Sequence, residues 1–352
     1  MDGSNRSTVR VRDEFHTWTE SWLRIAQQLP HPSPFAQPWW LRHVARGTPV
    51  HLLVLVDDEP VGGIALTARR VLGVDVLRPA GHGVPCPDHV DLVAVPGHED
   101  AVAAAFAGWF AGPGDRVLDL AGAPERSLAA RSLGVAAVPM DVAPYEPLAG
   151  SFLESRSASF RRNVRRTEKR LARDGVAQWS ATPDTVGRAL DAFEALHRDR
   201  PDRAPLLAEM DRLRPALAEA VGCGEARIDV LEVAGRTAAV SVAFLVAGRL
   251  ALYQLARSTA REHDGAGTVL LVRVVEQAVA DGCTEVDMLR GEEAYKGGFA
   301  SRRRVLTRVR AAHGVRGRAL LAGWDGVRRA HAVRARVQAR ARTRVSSARG
   351  GA

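Results

Sequence analysis

The sequence predicts an α/β (α+β) protein made of two tandem domains with similar architecture. In each half, the spacing of apolar residues and turn signals indicates three strands followed by a helix and a further strand. A segment with two prolines at residues 144–147 separates the halves, and 352 residues are enough for two domains of ordinary size. We therefore expect each domain to hold a mixed, mostly antiparallel sheet flanked by helices.

The first predicted domain covers residues 1–146. Its opening helix is indicated by apolar residues at helical spacing, and a turn at residues 57–60 predicts a hairpin. The predicted elements are helices at 14–29 and 39–46, strands at 51–56, 61–67 and 71–77, an irregular loop at 81–97, a helix at 99–110, a strand at 116–120, a helix at 124–132 and a strand at 135–142.

The second predicted domain covers residues 147–315 and opens with a long basic helix ended by Gly175. The predicted elements are a helix at 151–174, a strand at 176–180, helices at 185–198 and 203–221, strands at 226–233, 237–246 and 249–257, a helix at 266–281 and a strand at 285–289. The remaining residues, 316–352, are expected to form an Arg-rich helix and tail.

The net charge of +9 belongs to this tail. Residues 316–352 contain ten Arg and one acidic residue, Asp325, so residues 1–315 carry 39 basic and 39 acidic residues and are neutral. A basic tail can contact nucleic acid or an anionic membrane surface. The alternative is a solvated helix in an Arg-rich protein, because the chain has only two Lys against 47 Arg. We expect the first turn of a helix over 319–344 to be docked and the remainder to be exposed.

Several classes of protein are disfavoured by the composition. No apolar run is long enough to span a membrane, and the N-terminal residues lack the apolar core of a signal peptide, so we expect a cytoplasmic protein. Cys86, Cys223 and Cys283 are far apart and odd in number. They match neither a disulfide framework nor a zinc site, and we interpret them as buried thiols.

The turn before the helix at 266–281 is the first candidate site. Gly265 and Gly267 flank Ala266, and Thr268 opens the apolar part of the helix. Glycines let backbone N–H groups approach a ligand closely, and a helix N-terminus favours anions. These residues are therefore candidates for binding a phosphate or pyrophosphate, although glycines also serve as plain turn formers.

The strand at 285–289 and the loop after it hold the second set of candidates. Asp287 is a carboxylate in an apolar strand, where it must be paired or exposed at a cleft. Arg290 and Lys296 are its candidate partners, and a functional Asp287 would position or deprotonate an amine. Tyr295 either donates a proton to a leaving thiolate or packs against the sheet, and Lys296 is a candidate for binding a phosphate or carboxylate.

The loop at 81–91 and the basic helix give weaker candidates. The spacing of Asp88, His89 and Asp91 matches no metal site, and we predict no bound metal. We expect these three residues to contact the acceptor in a cleft between the domains. The basic helix could grip substrate phosphates or be a solvated surface. Arg161 and Arg165 are its candidate substrate-binding residues.

Several segments together resemble one branch of the GNAT acyltransferase superfamily. They are FAQPWWLRHV, DHVDLVAVPG, ASFRRNVRRTEKRLARDG, LHRDR, HDGAGTVLL and VDMLRGEEAYKGGF, and they lie within residues 30–312. The branch is that of the CelD-like acetyltransferases of exopolysaccharide clusters, which is related to the Fem-type aminoacyl transferases of peptidoglycan synthesis. A three-strand meander followed by a helix and a strand is also the central arrangement of the GNAT fold.

The resemblance implies two GNAT-like domains with a cleft between them and direct acyl transfer to an amine, without a covalent enzyme intermediate. It implies that backbone N–H groups of the strand at 249–257, which includes Tyr253 and Arg257, polarise the donor carbonyl. The loop at 264–268 would then hold the donor pyrophosphate. One position departs from the usual pattern, since Glu262 stands where Gln or Arg begins the loop, with Asp264 nearby. Two carboxylates beside a pyrophosphate are unfavourable, which keeps an aminoacyl-tRNA donor as an alternative.

These observations predict an N-acyltransferase whose second domain carries the donor site. The expected donor is acetyl-CoA or another acyl-CoA, and the expected acceptor is an amine of an amino sugar, an amino acid or a lipid-linked cell-envelope precursor. The alternatives are a Fem-type transferase that uses aminoacyl-tRNA and a catalytically silent accessory protein of polysaccharide synthesis. The predicted residues are Asp287, Tyr295 and Lys296 for catalysis, Arg257, Gly265, Ala266, Gly267 and Thr268 for the donor, and Asp88, His89, Asp91, Arg161, Arg165, Tyr253 and Arg290 for the substrate.

Overall fold

Thirteen strands join into one continuous sheet in the computed structural model, which describes residues 7–12, 15–198 and 200–327. The strands are β1 (Ser7–Arg12), β2 (Thr48–Val56), β3 (Glu59–Val71), β4 (Val74–Pro79), β5 (Val93–Ala94), β6 (Arg116–Pro124), β7 (Ala137–Pro147), β8 (Val176–Ser180), β9 (Ala226–Val233), β10 (Arg236–Val246), β11 (Arg249–Arg257), β12 (Glu285–Asp287) and β13 (Arg302–His313).

Helices cover both faces of this sheet. They are α1 (Phe15–Gln28), α2 (Pro38–Val44), α3 (Glu99–Phe110), α4 (Leu128–Leu133), α5 (Phe152–Ser155), α6 (Ala158–Ala172), α7 (Val186–Arg198), α8 (Ala204–Leu207), α9 (Met210–Gly222), α10 (Ala266–Ala280) and α11 (315–327). Short 3₁₀ turns lie at Pro34–Ala36, Pro201–Arg203, Arg261–His263 and Ala294–Gly298. The predicted class, a mostly antiparallel sheet flanked by helices, is confirmed.

The strand order repeats about the centre of the sheet. It runs β1-β2-β3-β4-β6-β13-β7-β12-β11-β10-β9-β8, with β5 beside β3. Each side consists of an antiparallel meander and one parallel pair, β4 with β6 and β11 with β12. At the centre, β13 from late in the chain lies between β6 and β7. The predicted boundary after residue 146 falls at the end of β7 inside this sheet, and the division into two domains stays a prediction.

Some predicted elements differ from the structure. The helix predicted at 151–174 is two helices, because the Ser157 side chain accepts the Phe160 N–H and starts α6. The helix predicted at 203–221 is likewise split into α8 and α9. The strands β1 and β13 were not predicted, and the irregular loop at 81–97 contains the two-residue strand β5.

An aromatic cluster joins the two halves of the chain. Phe35, Trp39 and Trp40 from the first half surround Phe244 of β10, with ring centroids 5.1–6.1 Å apart. Phe244 stacks on Tyr253 of β11 at 5.0 Å. Burying each such ring contributes about 1.5–3 kcal/mol. The cluster therefore fixes the first half against the strand that carries Tyr253.

The C-terminal helix α11 begins docked on the sheet. A Cβ added to Gly317 would lie 2.5 Å from the Arg116 carbonyl oxygen, so α11 starts in close contact with β6. The Arg78 guanidinium lies 5.5 Å from the ring centroid of Trp324, and Asp325 pairs with Arg310 at 2.9 Å. The rest of the predicted Arg-rich helix, residues 328–352, lies outside the described residues. Within the described part of the chain, none of the helices has the length and apolarity needed to cross a membrane.

Candidate active site

A large cavity opens where β11 and β12 separate. The two strands pair in parallel over three residues each, Arg249–Ala251 with Glu285–Asp287. Beyond this point β11 continues beside β10, while the chain after β12 turns away through Leu289 and Gly291, which have φ values of 54° and 110°. The resulting cavity measures about 740 Å³. A volume of this size is typical of sites for small molecules and cofactors.

The cavity-facing edge of β11 has free backbone groups. Its pairing with β10 shifts between Gln254 and Leu252, so Tyr253 is the extra residue of a β-bulge. Within the described residues, β11 has no ladder partner on the β12 side beyond Ala251. The Tyr253 hydroxyl donates to the Pro85 carbonyl oxygen at 3.0 Å, and burial raises the pKa of this phenol. Tyr253 therefore ties β11 to the loop of the first half.

The N-terminus of α10 forms one wall of the cavity. Gly265, with φ of 79°, precedes the helix without a side-chain cap, and Gly265, Gly267 and Thr268 line the cavity together with Arg257. A Cβ on Gly267 would lie 3.2 Å from the Leu255 side chain, so the glycine lets α10 start close to β11. Ala266 is buried in the apolar core. Free N–H groups, the helix dipole and an exposed Arg favour an anion here.

The two carboxylates beside this turn do not line the cavity. Glu262 is exposed and pairs with Arg236 at 3.0 Å. Asp264 faces a separate open groove of about 600 Å³, where it lies with Arg166, Arg170 and Arg261. The repulsion of a donor phosphate that the sequence suggested is therefore avoided by the direction of both side chains.

His263 lies between these carboxylates in the sequence, and its side chain faces the cavity. Its side chain is 5% exposed and lines the cavity, and neither ring nitrogen has a hydrogen-bond partner among the described residues. An unpaired buried polar group is costly and calls for a ligand or a water. His263 is not among the residues predicted from the sequence, although its position two residues before Gly265 is a usable signal.

Asp287 lies outside the cavity, in a buried ion cluster. Its Oδ2 lies 2.9 Å from His89 Nε2, 3.3 Å from Arg249 and 3.4 Å from Arg304, and its Oδ1 accepts the Leu289 N–H. Burial alone would raise the pKa of Asp287, but His89, the Leu289 amide and Arg249 lower it to about 2. This carboxylate is a poor base, and both of its oxygens already have ion-pair or hydrogen-bond partners. The geometry argues against the predicted role in deprotonating an amine, and it gives His89 a structural partner instead of a substrate.

The Lys296 side chain binds other residues of the loop that follows β12. Its side chain is 4% exposed, and Nζ donates to the carbonyl oxygens of Arg290 at 2.6 Å and Leu289 at 3.3 Å while pairing with Glu293 at 2.9 Å. Lys296 lines the cavity, but these partners occupy its ammonium group. Its position supports a role in shaping the loop.

Tyr295 is a partly exposed residue of the cavity wall. It is 43% exposed, and burial of the phenol together with the charge of Glu293 raises the pKa of Tyr295 to about 12. The hydroxyl is therefore protonated at neutral pH and can donate a proton or a hydrogen bond.

Asp88 and Arg290 form a buried pair in the cavity wall. Arg290 Nη2 lies 2.6 Å from Asp88 Oδ1, and the Arg290 backbone N–H donates to Asp88 Oδ2 at 2.8 Å. Arg290 also donates to the Pro87 carbonyl oxygen at 3.2 Å. The predicted pairing of Arg290 with Asp287 is wrong, because Asp88 from the first half takes that place. The pair joins the two halves at the cavity.

Besides His89, three predicted substrate residues lie away from the cavity. Asp91 caps α4, accepting from the Ser127 hydroxyl at 2.8 Å and the Leu128 N–H at 2.6 Å, and burial raises the pKa of Asp91 to about 6. Arg161 and Arg165 both pair with Glu154 on the surface. These contacts account for the three side chains without a substrate.

The structure adds cavity residues that sequence reasoning missed. Asp141 of β7, Arg200 and Arg203 line the cavity with Cys86. Burial raises the pKa of Cys86, so it is present as a thiol. In the described part of the chain, no group of three His, Cys, Asp or Glu residues is placed to hold a metal ion.

Comparison with known protein families gives a match to part of the chain. Residues 158–297 match the family described as Acetyltransferase (GNAT) domain. This part of the chain is therefore a GNAT domain. No curated protein matches it in sequence. The GNAT match covers α6 through the loop after β12, and therefore includes the free edge of β11, the α10 turn and Lys296.

Solved structures show the same fold over most of the chain. FemX has a TM-score of 0.59 at 10% identity, covering 82% of this chain and 94% of the FemX chain. The C-terminal domain of a putative lysylphosphatidylglycerol synthetase from Agrobacterium fabrum has a TM-score of 0.53 at 12% identity, covering 89% and 96%. A tandem GNAT protein from the clavulanic acid biosynthesis pathway has a TM-score of 0.50 at 12% identity, covering 87% and 98%. The predicted Fem-like GNAT fold is confirmed.

Proposed function

We propose that this GNAT protein is an N-acyltransferase that moves an acyl group from an acyl-CoA to an amine. The observation that carries the proposal is one continuous cavity, lined by both the N-terminus of α10 and the separated end of β11. The first can hold an anionic carrier, and the second presents backbone N–H groups to a carbonyl oxygen.

The donor's anionic part would bind at the turn Gly265–Thr268. Arg257 supports this assignment, because it is exposed at the carboxyl end of β11 and lines the same wall. Arg200 and Arg203 add positive charge to the cavity, partly balanced by Asp202 at 3.0 and 3.2 Å. This charge distribution suits a carrier with several phosphate groups.

The chemistry needs no covalent enzyme intermediate. The amine nitrogen attacks the thioester carbon, the C–N bond forms and the C–S bond breaks, and the products are an amide and a thiol. Backbone N–H groups on the free edge of β11 would stabilise the oxyanion of the tetrahedral intermediate. Tyr295, protonated at neutral pH, would give a proton to the leaving thiolate and regain the proton that the nitrogen loses as it becomes an amide.

The acceptor class follows from the resemblance to CelD-like and Fem-type enzymes. We propose an amine of an amino sugar, an amino acid or a lipid-linked envelope precursor. The first half of the chain supplies Asp88, Cys86 and Asp141 to the cavity. Residues from both halves therefore surround the space in which the two substrates would meet.

A second candidate donor is aminoacyl-tRNA, and one observation favours it. The open groove with Arg166, Arg170 and Arg261 reaches Gly265, which also lines the cavity. A basic groove that continues into the donor site would suit a long polyanion. If tRNA is the donor, its binding will weaken steeply with added salt.

Thermal-shift measurements with acetyl-CoA, longer acyl-CoAs and free CoA test the donor. A ligand at 100 times its Kd stabilises the folded protein by about 2.7 kcal/mol, which is a shift of several degrees. Arg257→Gln should reduce the shift, and Arg69→Gln, an exposed Arg on β3, is the matched control. A wild-type protein that shifts with none of the CoA compounds, and acylates no amine with them, would exclude an acyl-CoA donor.

A further inference from the structure

Of the carboxylates that line the cavity, Asp141 is the one that forms no ion pair within the described residues, although its charge also acts on Arg290. The other two are Asp88, held by Arg290 at 2.6 Å, and Glu293, held by Lys296 at 2.9 Å. One Asp141 oxygen accepts the N–H of Val142 at 2.8 Å. Within residues 7–12, 15–198 and 200–327, no Lys, Arg or His lies within ion-pair distance of it. Its second oxygen is available to a ligand.

The backbone holds Asp141 at the junction of the two halves. On β7, Asp141 pairs with Leu306 and Pro139 pairs with Thr307, so Met140 is the extra residue of a β-bulge. A bulge bends its strand and redirects the neighbouring side chain, which is common next to active sites. The loop after β12 passes beside this point, because the Gly291 N–H donates to the Val142 carbonyl oxygen at 3.0 Å. Asp141 therefore faces the cavity from a fixed position.

We propose that Asp141 is the carboxylate that receives the acceptor amine. This inference rests on the proposed function. It assigns the acceptor as a primary amine that arrives as an ammonium ion, since a free carboxylate in a cavity attracts a cation. The cavity is then divided by charge: the anionic carrier lies at Arg257 and the turn Gly265–Thr268, and the ammonium lies at Asp141.

The proton balance is simple. The ammonium gives one proton to Asp141 and becomes a neutral amine, which attacks the donor carbon. The nitrogen then loses a second proton as the C–S bond breaks, and the leaving thiolate takes up one proton. Asp141 returns its own proton to solvent. A carboxylate in hydrogen-bond contact can accelerate such a step by about 10²- to 10⁴-fold.

The test compares Asp141→Asn with Asp100→Asn, which removes one negative charge from an exposed carboxylate on α3. Acetyl-CoA is the donor, the probes are glucosamine, L-lysine and hexylamine, and released CoA thiol is measured. We expect kcat/KM for the amine to fall about 10²-fold or more in Asp141→Asn, with the KM for acetyl-CoA unchanged. Asp100→Asn should behave as wild type.

The pH profile distinguishes this role from a structural one. Wild type takes up the ammonium, so its kcat/KM for the amine should be nearly flat below the pKa of the amine. Asp141→Asn can use only amine that is already neutral, so its kcat/KM should rise about tenfold per pH unit over the same range. If Asp141→Asn does not fold, Asp141→Glu keeps the carboxylate, and it should retain the flat profile with a reduced kcat.

Two other results would contradict the role of Asp141 as the carboxylate that receives the amine. Asp141→Asn with kcat/KM near that of wild type and the same pH profile would overturn the inference. A wild type that gives a thermal shift with acetyl-CoA but neither binds nor acylates any of the amines would also overturn it, and would leave the donor assignment standing. If acetyl-CoA gives no shift, the proposed donor fails separately, and Asp141 is then judged by amine-induced thermal shifts that wild type shows and Asp141→Asn lacks.

Discussion

Replacing Asp287 with Asn tests whether this carboxylate stabilises the fold or takes part in the reaction. The ion cluster lowers the pKa of Asp287 from 3.8 to about 2, and the side chain is 1% exposed. One pKa unit corresponds to about 1.4 kcal/mol, so ionised Asp287 stabilises the folded protein by roughly 2–3 kcal/mol. Asp287→Asn should lose about this amount at neutral pH, because Arg249 and Arg304 lose a shared buried partner.

The sign of the pH dependence follows from the lowered pKa. A carboxylate with a folded pKa of about 2 contributes its stability above the unfolded value of 3.8 and loses it as the pH falls from about 4 to about 2. The difference in urea midpoint between wild type and Asp287→Asn should therefore be largest at neutral pH and shrink in acid. Equal stability of the two proteins at pH 7, combined with a selective loss of acyl transfer in the folded variant, would refute the structural role.

Three further predictions concern the cavity and the tail. His263→Phe should keep or raise the melting temperature, since it removes an unpaired buried polar group. It should also weaken the thermal shift with acetyl-CoA. A lower melting temperature with an unchanged thermal shift would contradict this prediction. Tyr295→Phe should lower kcat by about 10- to 100-fold, and the wild-type rate should show no loss from Tyr295 ionisation until the pH approaches about 12, as measured by thiol release. Truncation after Val327 removes eight Arg beyond the docked part of α11 and should abolish sedimentation with anionic vesicles without unfolding the protein; unchanged sedimentation would exclude the tail as a membrane contact.

Local patterns in the sequence predicted most of the elements of the second half. The strands β8, β9 and β11 have the predicted bounds, and α10 begins at the predicted residue. Their apolar runs end at glycines or charged turns, which are short-range signals. The strand β13 was missed because three consecutive Arg open it and charged residues are depleted in strands. Its Arg308 and Arg310 are stabilised by Asp119 of β6, a contact that is distant in sequence.

The candidate site was only partly predictable for the same reason. The Gly-rich turn is local, and the structure places it at the cavity, as the pattern suggested. The direction of a side chain depends on strand register and on partners far away in sequence. Asp287 was selected as a lone carboxylate in a strand, but His89 and Arg304 bind it from other parts of the chain. Asp141, with no motif around it, was passed over because a bulge and a neighbouring loop bring it to the cavity.

The strand layout repeats in the two halves, but the gap beside the parallel pair differs between them. In the first half β4 and β6 also pair in parallel for three residues, ending at Leu77 with Leu118. The next residues, Arg78 and Asp119, form an ion pair at 3.5 Å across the gap.

In the second half the next residues are Leu252 and Met288, and both line the cavity. The two helices that follow the meanders also differ in the charge of their first turn. The helix α3 begins with Glu99 and Asp100, whereas α10 has no acidic residue in its first turn. A negative first turn repels an anionic carrier and an uncapped one attracts it. In the first half an ion pair bridges the gap and the helix start is acidic, whereas in the described residues of the second half the gap opens into the cavity beside a helix start without acidic residues.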